Sequence, residues 1–491
     1  MERLSKKYLP FAGVLLFAIY PIVALYAHNV EEVNLKVIGL PLLISVLGSI
    51  FVFSFWHVII RNIYKASLFT IALLWIAGFY GTAFTTVSGW LTVSHLHLII
   101  IITIIYAGWI YLIIKIKRNE TLANLNLIFT LPVALLLILN LANIIPAEID
   151  KNRITIKTAN AEYIPGQNPE LTSGLPDLYI LVFDEFASFK TIDEVWGYKN
   201  SSLHNFLTEK GFYIAEDSRT RFRTSYSSLA SLMNLDYVAE GTSLGEALQI
   251  YDNNFVMNYL DSLGYNITFI NGYGSFGWSG RLPDVNYMYM YNMGIEESST
   301  IDPFHVLLVN QTILTPWAES FKDKTPNLYY QVNKYFFDYI ENHPFTVNKM
   351  DNPSLLYAHM MSPHLPYVFD REGNFLENPT NHWEYTTIDD ETKKQLYLEQ
   401  FIYVSKRMEK MVESILANSD TPPVILLLSD HGVREESTGS REKEHIYRVL
   451  NAVYLPDGDY SGFHSGIAPL NTLRIIFNNY FGQDYEMRPD Q

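Results

Sequence analysis

The sequence predicts a two-part protein: five membrane-spanning helices, then an α/β domain on a mostly parallel central sheet. Three observations predict it. Five apolar segments fill the first 145 residues, each near the ~20 residues that cross a bilayer as a helix. A polar stretch follows them. Beyond it, short apolar runs alternate with amphipathic stretches, as strands alternate with helices in α/β domains.

The bulk numbers narrow the function. The chain has 491 residues, 49% of them hydrophobic, with a net charge of −16. That charge excludes the basic patch needed to bind nucleic acid. It contains no cysteine, which excludes disulfides, zinc–thiolate sites and cysteine nucleophiles.

The apolar segments lie at 9–26, 37–55, 68–87, 96–114 and 125–145. Five consecutive runs argue against buried helices of a soluble protein, and the first lacks a small-residue cleavage site. Arg3, Lys6 and Lys7 precede the first run, Arg61 and Lys65 follow the second, and Lys115, Lys117 and Arg118 follow the fourth. The alternate loops carry almost no basic residues. The positive-inside rule then places the N-terminus in the cytoplasm and everything after the fifth run outside. The expected divisions are a membrane region at 1–147, a juxtamembrane linker at 148–175 and an extracytoplasmic domain at 176–491.

Within that domain, strands are expected at 179–183, 212–215, 266–270, 354–359, 424–429 and 451–455. Helices are expected at 202–210, 227–233, 254–263, 326–341 and 393–417. Thr325 and Pro326 mark the start of the fourth helix. In the last, Leu396, Phe401, Val404, Met408, Met411 and Ile415 recur at helical spacing and read as core.

Two of these strands carry the chemistry. Leu178-Tyr179-Ile180-Leu181-Val182-Phe183 ends in Asp184 and Glu185, and Val424-Ile425-Leu426-Leu427-Leu428-Ser429 ends in Asp430-His431-Gly432. Sites in open α/β sheets form at such carboxyl ends, so these four residues make a metal-site hypothesis. Between them, Arg219, Arg221 and Arg223 interleave with Thr220 and run into Thr224, Ser225, Ser227 and Ser228. Thr224, Ser225 and Ser227 are each potential helix caps. The same geometry offers free N–H groups to a phosphate or sulfate, beside a hydroxyl that a metal would activate. His359 ends a strand, and His364 sits between two prolines just after it.

In their order, these motifs resemble the membrane-bound sulfatase-like proteins of the alkaline phosphatase superfamily. The resemblance rests on Asp184-Glu185, Ser228-Leu229-Ala230-Ser231-Leu232-Met233-Asn234 with the hydroxyls before it, Pro363-His364-Leu365-Pro366, Ser429-Asp430-His431-Gly432 and Ala468-Pro469-Leu470-Asn471-Thr472. With five spans in front, the chain is similar to lipoteichoic acid synthases and phosphoethanolamine transferases. The resemblance implies an alkaline-phosphatase-like domain with a divalent metal held by Asp184 or Glu185, Asp430 and His431. Zn, Mn, Mg and Ca all remain open, and a second metal is possible. It implies a nucleophile at Ser225, with Thr224 adjacent and Thr usual in relatives. It makes His364 a substrate-phosphate contact or leaving-group acid, with His359 and Arg223 beside the substrate. His445 and His464 rank behind these.

A sulfatase would need a Cys or Ser convertible to formylglycine, followed by Pro or Ala and then Arg. Ser225-Tyr226-Ser227-Ser228-Leu229 lacks that pattern. A plain hydroxyl beside a metal suits phosphoryl transfer. The expectation is transfer of a phospho-headgroup from a membrane phospholipid donor to a surface glycan or lipid acceptor. The alternatives are a phosphate- or sulfate-ester hydrolase on the same fold, and a non-catalytic polymer-binding protein.

Overall fold

The computed structural model describes residues 2–30, 35–153, 174–271, 286–289, 303–316, 325–342, 352–380, 388–434 and 444–490. It divides the chain into two compact units. One comprises Met1–Arg153 with Thr300–Asp323, and the other Ile154–Ser299 with Lys324–Gln491.

The first unit contains α1 (Glu2–His28), α2 (Gly39–Ile60), α3 (Ile63–Ser88), α4 (His95–Lys115) and α5 (Asn119–Arg153). All five are long and apolar enough to cross a membrane. Leu43, Phe51, Ile104, Leu131 and Ile138 are among the many large apolar side chains they leave exposed, which fits lipid as the solvent. Polar side chains tie the helices where lipid cannot: Ser67 Oγ donates to Pro10 O (2.7 Å), Ser45 Oγ to Ala18 O (2.7 Å) and Trp109 Nε1 to Leu68 O (3.2 Å). α5 runs on to Arg153, so the stretch expected as a linker from 148 begins as helix; 154–173 lies outside the described residues. Asn119–Glu148 is one apolar span, and the helix continues past it despite Pro146.

A shorter helix, α6, covers Pro303–Gln311 and belongs to this unit although its sequence lies far downstream. The sequence boundaries assign those residues to the α/β domain.

The second unit is a seven-stranded sheet. Its strands are β1 (Leu178–Phe183), β2 (Tyr213–Ile214), β3 (Asn266–Asn271), β4 (Asn286–Tyr289), β5 (Ser354–Met360), β6 (Val424–Leu428) and β7 (Asn451–Tyr454), in the order β2-β7-β6-β1-β5-β3-β4. Every pairing is parallel except those made by β7, which runs antiparallel to β6 and β2. β1 and β6 are buried along their whole length, as their unbroken apolar sequences require. One face of the sheet packs on α7 (Thr325–Asn342) and α8 (Asp390–Asn418), the other on α9 (Ser225–Met233), α10 (Phe255–Ser262) and α11 (Pro469–Phe481).

Register brings the motifs together. β1 and β6 pair with Val182 opposite Leu428. Two residues further on each strand come Asp184 and Asp430, side by side beyond the sheet edge. β5 flanks β1 on its other side with His359 opposite Val182. Side chains two apart share a face, so His359 and Asp184 emerge on the same side of the sheet.

Candidate active site

Asp184, Asp430 and His431 are fully or almost fully buried. One ligand atom from each lies within 4.8 Å of the others. His431 Nε2 is 3.6 Å from Asp184 Oδ1 and 3.6 Å from Asp430 Oδ2. His359 Nε2 is 3.6 Å from Asp184 Oδ2 and 4.0 Å from Asp430 Oδ2.

The donor set fits a divalent cation. Asp430 Oδ1 accepts the backbone N–H of Glu185 (3.2 Å) and of His431 (2.8 Å), which orients the carboxylate. Its Oδ2 is buried, 3.6 Å from His431 Nε2. His431 Nδ1 lies 2.8 Å from Gly432 O. A carbonyl can only accept, so Nδ1 carries the proton and Nε2 keeps its lone pair for a metal. Burial opposes the negative charge on Asp430, yet His431, His359 and hydrogen bonds from Ser225 and the His431 N–H hold its carboxyl below the usual carboxylate range.

Ser225 is the first residue of α9, with Thr224 at the cap position. The hydroxyl of Thr224 makes no capping bond to the helix. Ser225 Oγ stands 3.4 Å from Asp184 Oδ2 and 3.5 Å from His431 Nε2. Of the two hydroxyls, it is Ser225 that hydrogen bonds connect to the carboxylate–imidazole cluster. Arg223 is exposed, two residues ahead.

Glu185 points elsewhere than Asp184. Its backbone adopts φ +59°, a left-handed turn that costs a non-glycine residue about 1 kcal/mol or more. Tyr397 OH holds the turn, donating to Glu185 O (2.8 Å) and accepting from Ala187 N (3.0 Å). Glu185 Oε1 accepts the Arg434 N–H at 2.8 Å, and Oε2 lies 3.7 Å from His364 Nε2. Glu185 therefore pairs with His364 rather than joining the group formed by Asp184, Asp430 and His431.

His364 Nδ1 is 2.6 Å from Leu365 O, so that nitrogen bears the proton. Burial, opposed by Glu185 and aided by Arg434, lowers its pKa from 6.5 to about 4. In this tautomer the ring can accept a proton at Nε2. His359 is likewise lowered from 6.5 to about 4, mainly by burial and against the attraction of Asp430.

These two rings make a prediction. The unfolded chain takes up protons below pH 6.5 that the folded, metal-free domain refuses, so stability falls as pH drops from 6.5 toward 4. Denaturant unfolding at stepped pH on metal-stripped protein measures it. Stability that rises on acidification across this window would contradict two neutral rings.

Two residues of the site escape the sequence reading. Arg434 donates from Nη2 to His431 Nε2 (3.1 Å) and from Nη1 to His364 Nε2 (3.4 Å), linking the two histidines. It must release His431 Nε2 when a cation is bound. The only signal was a basic residue three places after Asp430-His431. The second is Gln400, fully buried on α8. Its Nε2 donates to Pro363 O (3.1 Å) and His364 O (3.0 Å), while Oε1 accepts Val368 N (2.9 Å), so it clasps the loop that carries His364. A polar residue inside an apolar stripe was the available clue. His445 is buried with Nε2 3.6 Å from Glu194, and His464 Nε2 lies 3.0 Å from Asp490.

No family model matches the sequence, and no curated protein matches it. Solved structures do. The integral membrane lipooligosaccharide phosphoethanolamine transferase A from Neisseria meningitidis aligns over 94% of this chain and 94% of its own, at 14% identity and a TM-score of 0.40. The periplasmic domain of the phosphoethanolamine transferase EptC from Campylobacter jejuni aligns over 63% of this chain and 90% of its own, at 15% identity and a TM-score of 0.39. The periplasmic domain of EptC from Escherichia coli, in complex with Zn, covers 62% and 83%, at 11% identity and a TM-score of 0.40.

Proposed function

We propose that the chain is a membrane-anchored, metal-dependent transferase. It moves a phospho-headgroup of the phosphoglycerol or phosphoethanolamine type from a membrane phospholipid to a surface glycan or lipid acceptor. Ser225 carries the headgroup in between. The observation behind this reading is the placement of Ser225 Oγ, 3.4 Å from Asp184 and 3.5 Å from His431, on the first turn of α9. The class is that of the phosphoethanolamine transferases to which the chain is similar.

Asp184, Asp430 and His431 would hold the divalent cation. Once bound, it would supply positive charge against the phosphate oxygens and lower the pKa of the Ser225 hydroxyl. The chain's own groups do the rest. The free N–H groups and positive dipole end of α9 face the incoming phosphate oxygens. Ser225 Oγ attacks phosphorus, the bond to the diacylglycerol oxygen breaks, and the proton leaving Ser225 passes by way of a neighbouring carboxylate to that departing oxygen. The acceptor hydroxyl then attacks the same phosphorus, and the Ser225 Oγ–P bond breaks as Ser225 Oγ recovers a proton relayed from the acceptor. Neutral His364 is placed to take the acceptor's proton at Nε2, with Glu185 stabilising the resulting imidazolium. The basic loops favour an N-terminus in the cytoplasm and this chemistry outside it.

The test is direct. Full-length protein is incubated with phospholipid labelled in the headgroup, quenched in acid and digested. A labelled phosphodiester on the peptide containing Ser225 is expected. Label on Thr224 would move the nucleophile, and free headgroup without any adduct would make the protein a direct hydrolase.

A further inference from the structure

The segment from Phe304 to Pro316 contains no charged residue. It lies in sequence within the α/β domain, between β4 and α7, yet folds into the helical unit. Phe304 is buried, its ring 6.4 Å from that of Tyr26 on α1. His305 Nε2 donates to Val37 O at 2.9 Å, just ahead of α2. Tyr26 OH in turn donates to Glu148 Oε1 near the end of α5, 2.6 Å away. α6 therefore sits at the end of the bundle where α5 delivers the chain to the α/β domain.

After α6 the backbone goes deeper. Ile313 N donates to Ala77 O at 2.8 Å. Ala77 is about 16 Å along the axis of α3 from its end at Ser88, at ~1.5 Å per residue. That is well inside a hydrocarbon core of ~30 Å. Gly81 permits the approach: a Cβ there would lie 1.9 Å from Asn310 O.

Irregular backbone survives at such depth only if its polar groups find partners within the protein. Here they do. Thr315 Oγ1 donates to Asn310 O (3.0 Å) and Thr312 O (2.5 Å), Thr312 Oγ1 donates to Val309 O (2.9 Å), and Leu314 N donates to Thr312 Oγ1 (3.2 Å). The side chains left exposed are apolar: Ile313 at 44% and Leu314 at 52%.

We propose that residues 303–316 form a re-entrant element. It enters the bilayer from the side that bears the α/β domain, packs on α1 and α3, and presents Ile313 and Leu314 to lipid acyl chains. The catalytic domain is then bound to the membrane through an internal loop as well as through α5. The partner is lipid, because the exposed pair continues the apolar surface of spans that lipid must cover.

The cysteine-free chain makes the test clean. Ile313→Cys and Leu314→Cys are each labelled with an environment-sensitive fluorophore in the full-length protein in phospholipid vesicles. Ile104→Cys, on the exposed face of α4, is the lipid reference, and Glu377→Cys, exposed in the α/β domain, is the water reference. Quenching by bilayer-borne spin labels comparable to that at Ile104, with protection from aqueous iodide, is expected at both sites. Iodide quenching at both sites comparable to that at Glu377 would overturn the proposal. Either position alone suffices should the other variant fail to fold, and the result does not depend on catalytic activity.

Discussion

Replacing Ser225 with alanine is expected to abolish formation of the labelled adduct and to cut transfer by on the order of 10⁴-fold or more, the scale on which nucleophile deletions act. The change is small in volume and removes no capping bond, because the cap position belongs to Thr224. The fold and metal content should therefore stay intact. Thr224→Ala is the control and should keep most of the activity, since it is Ser225 whose hydroxyl approaches Asp184 and His431. Ser225→Thr retains the hydroxyl and should restore part of the rate. Headgroup transfer from labelled phospholipid, with the adduct read by mass spectrometry, measures all three. If Thr224→Ala were the silent enzyme and Ser225→Ala the active one, the nucleophile would have to be reassigned.

The second large effect concerns the cation. Asp430→Asn keeps the shape of the side chain but removes half of the buried negative charge in the three-residue donor set. Metal content of the purified protein should drop below stoichiometric, and transfer should fall on the order of 10³-fold, equivalent to the several kcal/mol of charge stabilisation a bound cation provides. Glu185→Gln separates the two adjacent acids. Its carboxylate is engaged by the Arg434 N–H and faces His364, so metal content should remain normal while the acceptor half-reaction slows. Elemental analysis beside single-turnover transfer distinguishes them. Loss of metal in Glu185→Gln with retention in Asp430→Asn would invert this assignment.

Much of the α/β domain could be read from the chain because buried parallel strands are written as unbroken apolar runs. β1 and β6 announced themselves in this way, with Asp184 and Asp430 at their ends. Whether those ends lie side by side is a matter of register, which appears in no single strand. The choice between Asp184 and Glu185 was illegible for a related reason. It depends on a left-handed turn at Glu185, held by Tyr397 from a helix more than 200 residues away. Gln400 carries no functional signal in the sequence beyond being polar within an apolar stripe, because its partners are backbone groups of a distant loop. The short β4 and the helices at Phe189–Trp196 and Leu244–Asp252, of eight and nine residues, were missed because each is too short for its period to stand out, although Phe189, Ile192 and Trp196 share one face. α6 was assigned to the wrong unit because sequence position was allowed to decide membership, although its uncharged run carried the contrary signal.

The excursion of residues 303–316 also bears on biogenesis. The five long helices precede residues 303–316 in the chain, so their unit is incomplete until more than 150 further residues have been synthesised. Until then the surface around Ala77 and Gly81 on α3 lacks the segment that covers it. Completion of the helical bundle therefore waits on residues that lie within the sequence of the α/β domain. A truncation after Arg153 does not yield a finished bundle, and an excised α/β domain carries an uncharged apolar segment with nothing to pack on.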